Sequence, residues 1–150
     1  MFVYRVCSYE EIEFIFKNYD FSEVGNYFKE SGLNTHFYDA NERYIHFFHD
    51  KEGIMNRTLK NQYLCVYNIP DEILKDCDGI GYYSDDCFET YIEVKEYAVK
   101  SSQIKFDYLI KVDRINAYID LDDYIEDSEL TKFLEPVYRK ENGKKLILKK

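Results

Sequence analysis

Phe2-Val3-Tyr4-Arg5-Val6-Cys7 is a six-residue run rich in aromatic and β-branched side chains, and Ser8-Tyr9-Glu10-Glu11 follows it at once. The run predicts a strand over 2–7. Ser8 and Glu11 have the spacing of a capping box, in which the hydroxyl covers early helix amides and the carboxylate reaches back. Ile12, Ile15 and Phe16 then recur at i, i+3 and i+4, which predicts a helix over 9–18 with one apolar face. A strand that passes directly into a short helix sets the pattern for reading the rest.

Further along, Arg43-Tyr44-Ile45-His46-Phe47-Phe48 and Tyr63-Leu64-Cys65-Val66-Tyr67-Asn68-Ile69 read as strands. Residues 19–42 read as loop with a short helix near 22–30. Asp50 suits the cap of a helix over 51–60, and Pro70 the first turn of a short helix over 71–76. Gly79-Ile80-Gly81 reads as a tight turn before one long strand over 90–99, whose alternation puts Ile92, Val94 and Glu96 on one face. A turn over 101–104 and a strand over 106–112 come next. Residues 120–134 then read as an acidic helix with apolar Leu121, Ile125, Leu130, Phe133 and Leu134, stopped by Pro136. The expected fold is α+β: a mixed, mostly antiparallel sheet flanked by short helices, with an acidic C-terminal helix.

The 150 residues match one domain, read as 1–135 with a basic tail over 136–150. Twenty Lys+Arg against 29 Asp+Glu give −9. Residues 136–150 hold six basic residues and one acid, which leaves 14 basic and 28 acidic in residues 1–135, a net of −14. An acidic body repels nucleic-acid phosphates, so direct nucleic-acid binding is not expected. A basic protein is the natural partner for such a charge. Cys7 and Cys65 sit in apolar runs and read as small core residues; none of the four cysteines has C-x-x-C spacing. Neither a signal peptide nor a long apolar span is visible, so a cytoplasmic, membrane-free location is expected.

Several motifs fail on spacing. Asp120-Leu121-Asp122-Asp123 resembles a calcium loop, but Ile125 stands where glycine is required. Gly79-x-Gly81 lacks a P-loop lysine. His46 and His49 fall on opposite sides of a strand, so no metal site is expected. Three positions stand out. Arg5 lies in an apolar strand, where a guanidinium needs an anion. His46 is embedded among Tyr44, Ile45, Phe47 and Phe48, and Glu96 interrupts a β run. Arg, His and Glu on three strands, among tyrosines, suit a cleft for an anionic, ring-bearing ligand.

Tyr4-Arg5, Tyr44-Ile45-His46-Phe47-Phe48, Asn68-Ile69-Pro70, Gly79-Ile80-Gly81-Tyr82-Tyr83 and Glu96-Tyr97-Ala98-Val99 carry a resemblance. Together this set resembles a group of small uncharacterised bacterial proteins. Its order and spacing are similar to the ADP-ribosyltransferase superfamily, RNA 2′-phosphotransferases included, over residues 2–112. The resemblance implies an ADP-ribosyltransferase-like fold, NAD as cofactor and transfer of ADP-ribose to a macromolecule. It would make Glu96 the catalytic carboxylate that stabilises the oxocarbenium ion as nicotinamide leaves. Arg5 would hold the pyrophosphate, His46 would sit by the nicotinamide ribose, and Tyr44 or Tyr82 would stack. Two departures stand beside it: the second strand has no Ser-Thr-Ser, and position 94, two residues before Glu96, is Val.

The residues also support a different class. A small acidic protein with 16 tyrosines suits an inhibitor or nucleic-acid mimic, for example a phage-encoded one, that blocks a basic protein without catalysis. Tyrosines supply contact area at low entropic cost, and the acid excess supplies steering.

Overall fold

The computed structural model describes residues 1–18, 44–49, 62–76, 79–85, 88–94, 96–116, 131–140 and 144–145, with β5, β6 and β10 described as backbone alone. The strands are β1 Phe2–Cys7, β2 Tyr44–Phe48, β3 Tyr63–Asn68, β4 Lys75–Asp76, β5 Gly79–Asp85, β6 Phe88–Val94, β7 Glu96–Lys100, β8 Leu109–Ile115, β9 Leu134–Arg139 and β10 Lys144–Lys145. One α-helix, α1 Tyr9–Asn18, is present among the described residues. Eight strands form one sheet in the order β10-β9-β8-β3-β1-β2-β7-β4, and β5 and β6 make a separate two-stranded ribbon. Every described pairing is antiparallel.

β3 and β1 lie at the centre, in register from Phe2↔Asn68 to Cys7↔Tyr63. Tyr63 to Tyr67 are all buried, as a central strand covered on both faces requires. At the end of this pair Ile69 donates its amide to Met1 O at 2.9 Å. Pro70, which has no amide to give, follows where the ladder stops.

Alternation along the strands separates two faces. The first carries Val3, Cys7, Ile45, Phe47, Cys65, Tyr67, Val99 and Leu109, and α1 packs on it through fully buried Ile12 and Ile15. Phe16 seals one side, edge-on to Tyr138 at 5.2 Å and Phe106 at 5.5 Å between centroids. Each buried isoleucine contributes about 2 kcal/mol of apolar burial. The second face carries a smaller cluster of Leu64 and Ile115, with Tyr4, Val6, Phe48 and Leu134 against it.

Several expectations change. The helix over 9–18 and the strands near 2–7, 43–48 and 63–69 agree with the described elements. Glu11 does donate its amide to Ser8 Oγ at 3.3 Å, but its carboxylate turns to Arg5 instead of closing the capping box. The run 90–99 is two strands in two sheets. Val94 pairs with Gly79, whereas Glu96 pairs with Phe48. Gly79 and Gly81 lie inside β5 and are not a turn. Residues 71–73 form a single 3₁₀ turn, and β4 occupies the rest of the expected helix.

Most of the expected acidic helix, and the expected helices near 22–30 and 51–60, lie outside the described residues. Its end is corrected: Thr131–Phe133 is a 3₁₀ turn and Leu134 opens β9. The expected boundary at 135/136 therefore falls inside a strand, and residues 136–150 contribute four of the six residues of β9, and β10, to the sheet. Pro136 is tolerated because the β8–β9 register shifts between Val112 and Asp113, and among the described residues β10 covers only Tyr138 and Arg139 of β9. Local propensity read a helix stop where the sheet supplies a bulge.

Candidate functional site

Arg5 and Cys65 are register partners, flanked by the pairs Val3↔Tyr67 and Cys7↔Tyr63 of the first core. Its side chain therefore sits on the α1 face. There Glu11 of α1 receives it as a fork, Nη2 to Oε1 at 2.6 Å and Nε to Oε2 at 3.0 Å. The remaining nitrogen, Nη1, donates to the His46 carbonyl at 3.1 Å. Burial opposes the charge, yet Glu11 outweighs it and raises the guanidinium above its ordinary value. This anion is the one the apolar strand required.

The other two expected groups meet on the opposite face. Tyr4 of β1 faces Phe48 of β2, so even-numbered positions of both strands share a side. His46 lies two residues from Phe48, and Phe48 faces Glu96 of β7. The His46–Glu96 contact is thus a cross-strand diagonal, Nδ1 to Oε1 at 2.5 Å. His46 is 8% exposed and Glu96 16%. A carboxylate on Nδ1 favours the proton on that nitrogen and orients the ring. Tyr44 is on the same face, buried, with the Lys75 ammonium 5.5 Å over its ring. Lys100 is its register partner.

Of the five expected site residues, the structure puts Tyr44, His46 and Glu96 on one face and brings His46 and Glu96 into contact. Arg5 reaches this set only at the His46 backbone carbonyl, and its side chain lies on the other face. The reason is parity: Arg5 is odd-numbered on a strand whose even positions align with those of His46, so the sheet itself stands between the groups. Tyr82 faces Tyr91 in the β5–β6 ribbon, and its side chain lies outside the description. Among the described residues no group of three or more His, Cys, Asp or Glu side chains could hold a metal ion. None of the described helices is long and apolar enough to cross a membrane.

Sequence reading missed a second ionic group on this face. Asp113 of β8 is 1% exposed and accepts a hydrogen bond from Arg139 Nη2, with Lys111 Nζ at 3.8 Å. Arg139 also donates through Nη1 to the Val112 carbonyl at 3.2 Å and to the Tyr138 carbonyl at 2.9 Å. The available signal was weak: Asp113 stands between Val112 and Arg114 in a strand that also carries Lys111, so no lone charge marks it as Arg5 is marked. Beside it Lys140 Nζ bonds the Asp107 carbonyl at 2.7 Å and its carboxylate at 3.1 Å. Two of the six basic residues at the C-terminal end are therefore neutralised by partners in the sheet and the turn before β8. No family model matches the chain, and neither a curated protein nor a solved structure matches it.

Proposed function

We propose that the chain is an acidic, tyrosine-rich binding protein that engages a basic protein partner without catalysis. One observation supports this reading most: three of the half-buried cations, Arg5, Lys111 and Arg139, are engaged by internal carboxylates. Glu10 and Glu13 of α1 and Glu72 of the 71–73 turn are exposed, as are Lys17, Lys105 and Lys132. With a formal charge of −9, the outward field is negative and suits long-range attraction to a basic surface. The test is pull-down of basic proteins over a salt series. Capture of a specific basic partner should weaken roughly tenfold or more as salt rises from low to physiological strength, and Glu96→Gln should leave it unchanged. Salt-independent capture, or loss of capture in Glu96→Gln, would count against the reading.

A second reading keeps NAD, and the His46–Glu96 contact beside Tyr44 favours it. In it Glu96 stabilises the oxocarbenium ion in ADP-ribose transfer, His46 holds the ribose and Tyr44 stacks, in an ADP-ribosyltransferase-like site without Arg5. Lys75 and Lys100, register neighbours of Ala98 and Tyr44, would supply the phosphate-facing charge. NAD at 100 times its Kd should then stabilise the protein by about 2.7 kcal/mol, and Glu96→Gln should abolish NAD hydrolysis. A melting curve unmoved by millimolar NAD removes this reading.

A further inference from the structure

The two described cysteines touch. Cys7 ends β1 and Cys65 is central in β3, one diagonal step across the ladder, and their sulfurs lie 3.5 Å apart inside the first core. Both are free thiols and both are buried. In sequence they are 58 residues apart, joined through α1 and β2. Closing to a bond brings the sulfurs about 1.5 Å nearer, to about 2.05 Å, and from a diagonal position it draws β1 and β3 slightly together.

We propose that Cys7 and Cys65 are an oxidation site, forming an intramolecular disulfide that clamps β1 to β3 when a low-molecular-weight disulfide is the oxidant. The balance is a double exchange. One cysteine thiolate attacks the oxidant's S–S bond, forming a mixed disulfide and releasing one small thiol. The second thiolate then displaces the other small thiol, so the protein loses two hydrogens and the oxidant becomes two thiols. Reduction by excess small thiol reverses it.

Reactivity is set by access. Burial first, and then the neighbouring Cys65 sulfur, push the Cys7 thiol well above its ordinary range, so little thiolate exists in the closed protein. The exchange therefore runs through local opening at the β1–α1 junction, where Ser8 is exposed. Once made, the bond closes a long loop of chain, the class of cross-link that most restricts an unfolded ensemble.

The test is oxidation of the folded full chain with oxidised glutathione, in a Cys77→Ser/Cys87→Ser background that leaves one possible pair. Non-reducing peptide mapping should show the Cys7 and Cys65 peptides joined with loss of two hydrogens. The melting temperature should rise by about 8 °C and return with excess reduced thiol. Cys65→Ala should abolish both changes, and Cys7→Ala should do so independently if one variant folds poorly. Glutathione adducts without a cross-link, thiols that stay unreacted while the protein is folded, or a cross-link with no rise in melting temperature would overturn the proposal.

Discussion

The two faces of the eight-stranded sheet use charge differently. On the helix side, among the described residues, a continuous apolar core is bordered by the Arg5–Glu11 ion pair. On the opposite side the apolar cluster is small, and two polar groups, His46–Glu96 and Asp113–Arg139–Lys111, are set among the strands. The first face derives its stability from burial and the second depends on pairing. A charged residue in an apolar strand therefore indicates that a partner exists, but not on which side the partner stands. Charges that stand out together in sequence can serve separate halves of a fold.

The largest effect should come from cutting the chain after residue 135. That removes Val137 and Tyr138 from the core and Arg139 from Asp113, and circular dichroism should report loss of cooperative folding. A solvated tail would leave the melting curve unchanged. Next, Ile12→Ala or Ile15→Ala should cost about 2–5 kcal/mol in urea unfolding, because each deletes a fully buried side chain between α1 and the sheet.

The second face should show an asymmetry. Arg139→Met leaves the Asp113 carboxylate buried without its main partner and should cost about 3 kcal/mol. Asp113→Asn, which leaves a 30% exposed Arg139 able to reach water, should cost less. Equal costs would mean that burial of Asp113 does not decide the pair.

Alkaline titration gives a smaller, graded effect. Burial raises the Tyr67 phenol well above its usual value of 10.0, and it raises the Cys7 thiol likewise. Above about pH 10 the unfolded chain releases protons that the folded chain keeps, so stability falls as pH rises. The slope should approach about 1.4 kcal/mol per pH unit per group, and Tyr67→Phe should remove one group's share. Stability that stays flat from pH 8 to 11 would contradict the burial of both groups.

Helix 9–18 was legible because its apolar spacing and the Ser8 cap agree with the packing it receives. The central strands were legible for the same reason, as dense apolar runs covered on both faces. β9 was not, because Leu134 to Arg139 contains a proline that only the β8–β9 bulge and a short neighbour make acceptable. The change from β6 to β7 was hidden because strand propensity is blind to a change of partner. For the candidate site, the unusual residue types of Arg5, His46 and Glu96 were visible, and so was their need for partners. Their division between faces was not, since it follows from the β1–β2 register at Tyr4↔Phe48, a long-range fact. Glu11 was hidden behind a second plausible role at the helix start.

A double-mutant cycle between Arg5→Met and Glu96→Gln, read by urea unfolding with and without millimolar NAD, tests the separation of these groups most directly. Side chains on opposite sides of the sheet, linked only through His46, predict a coupling below about 1 kcal/mol that NAD does not change. A coupling above about 1 kcal/mol that appears only with NAD would mean both residues grip one ligand, and would contradict the account.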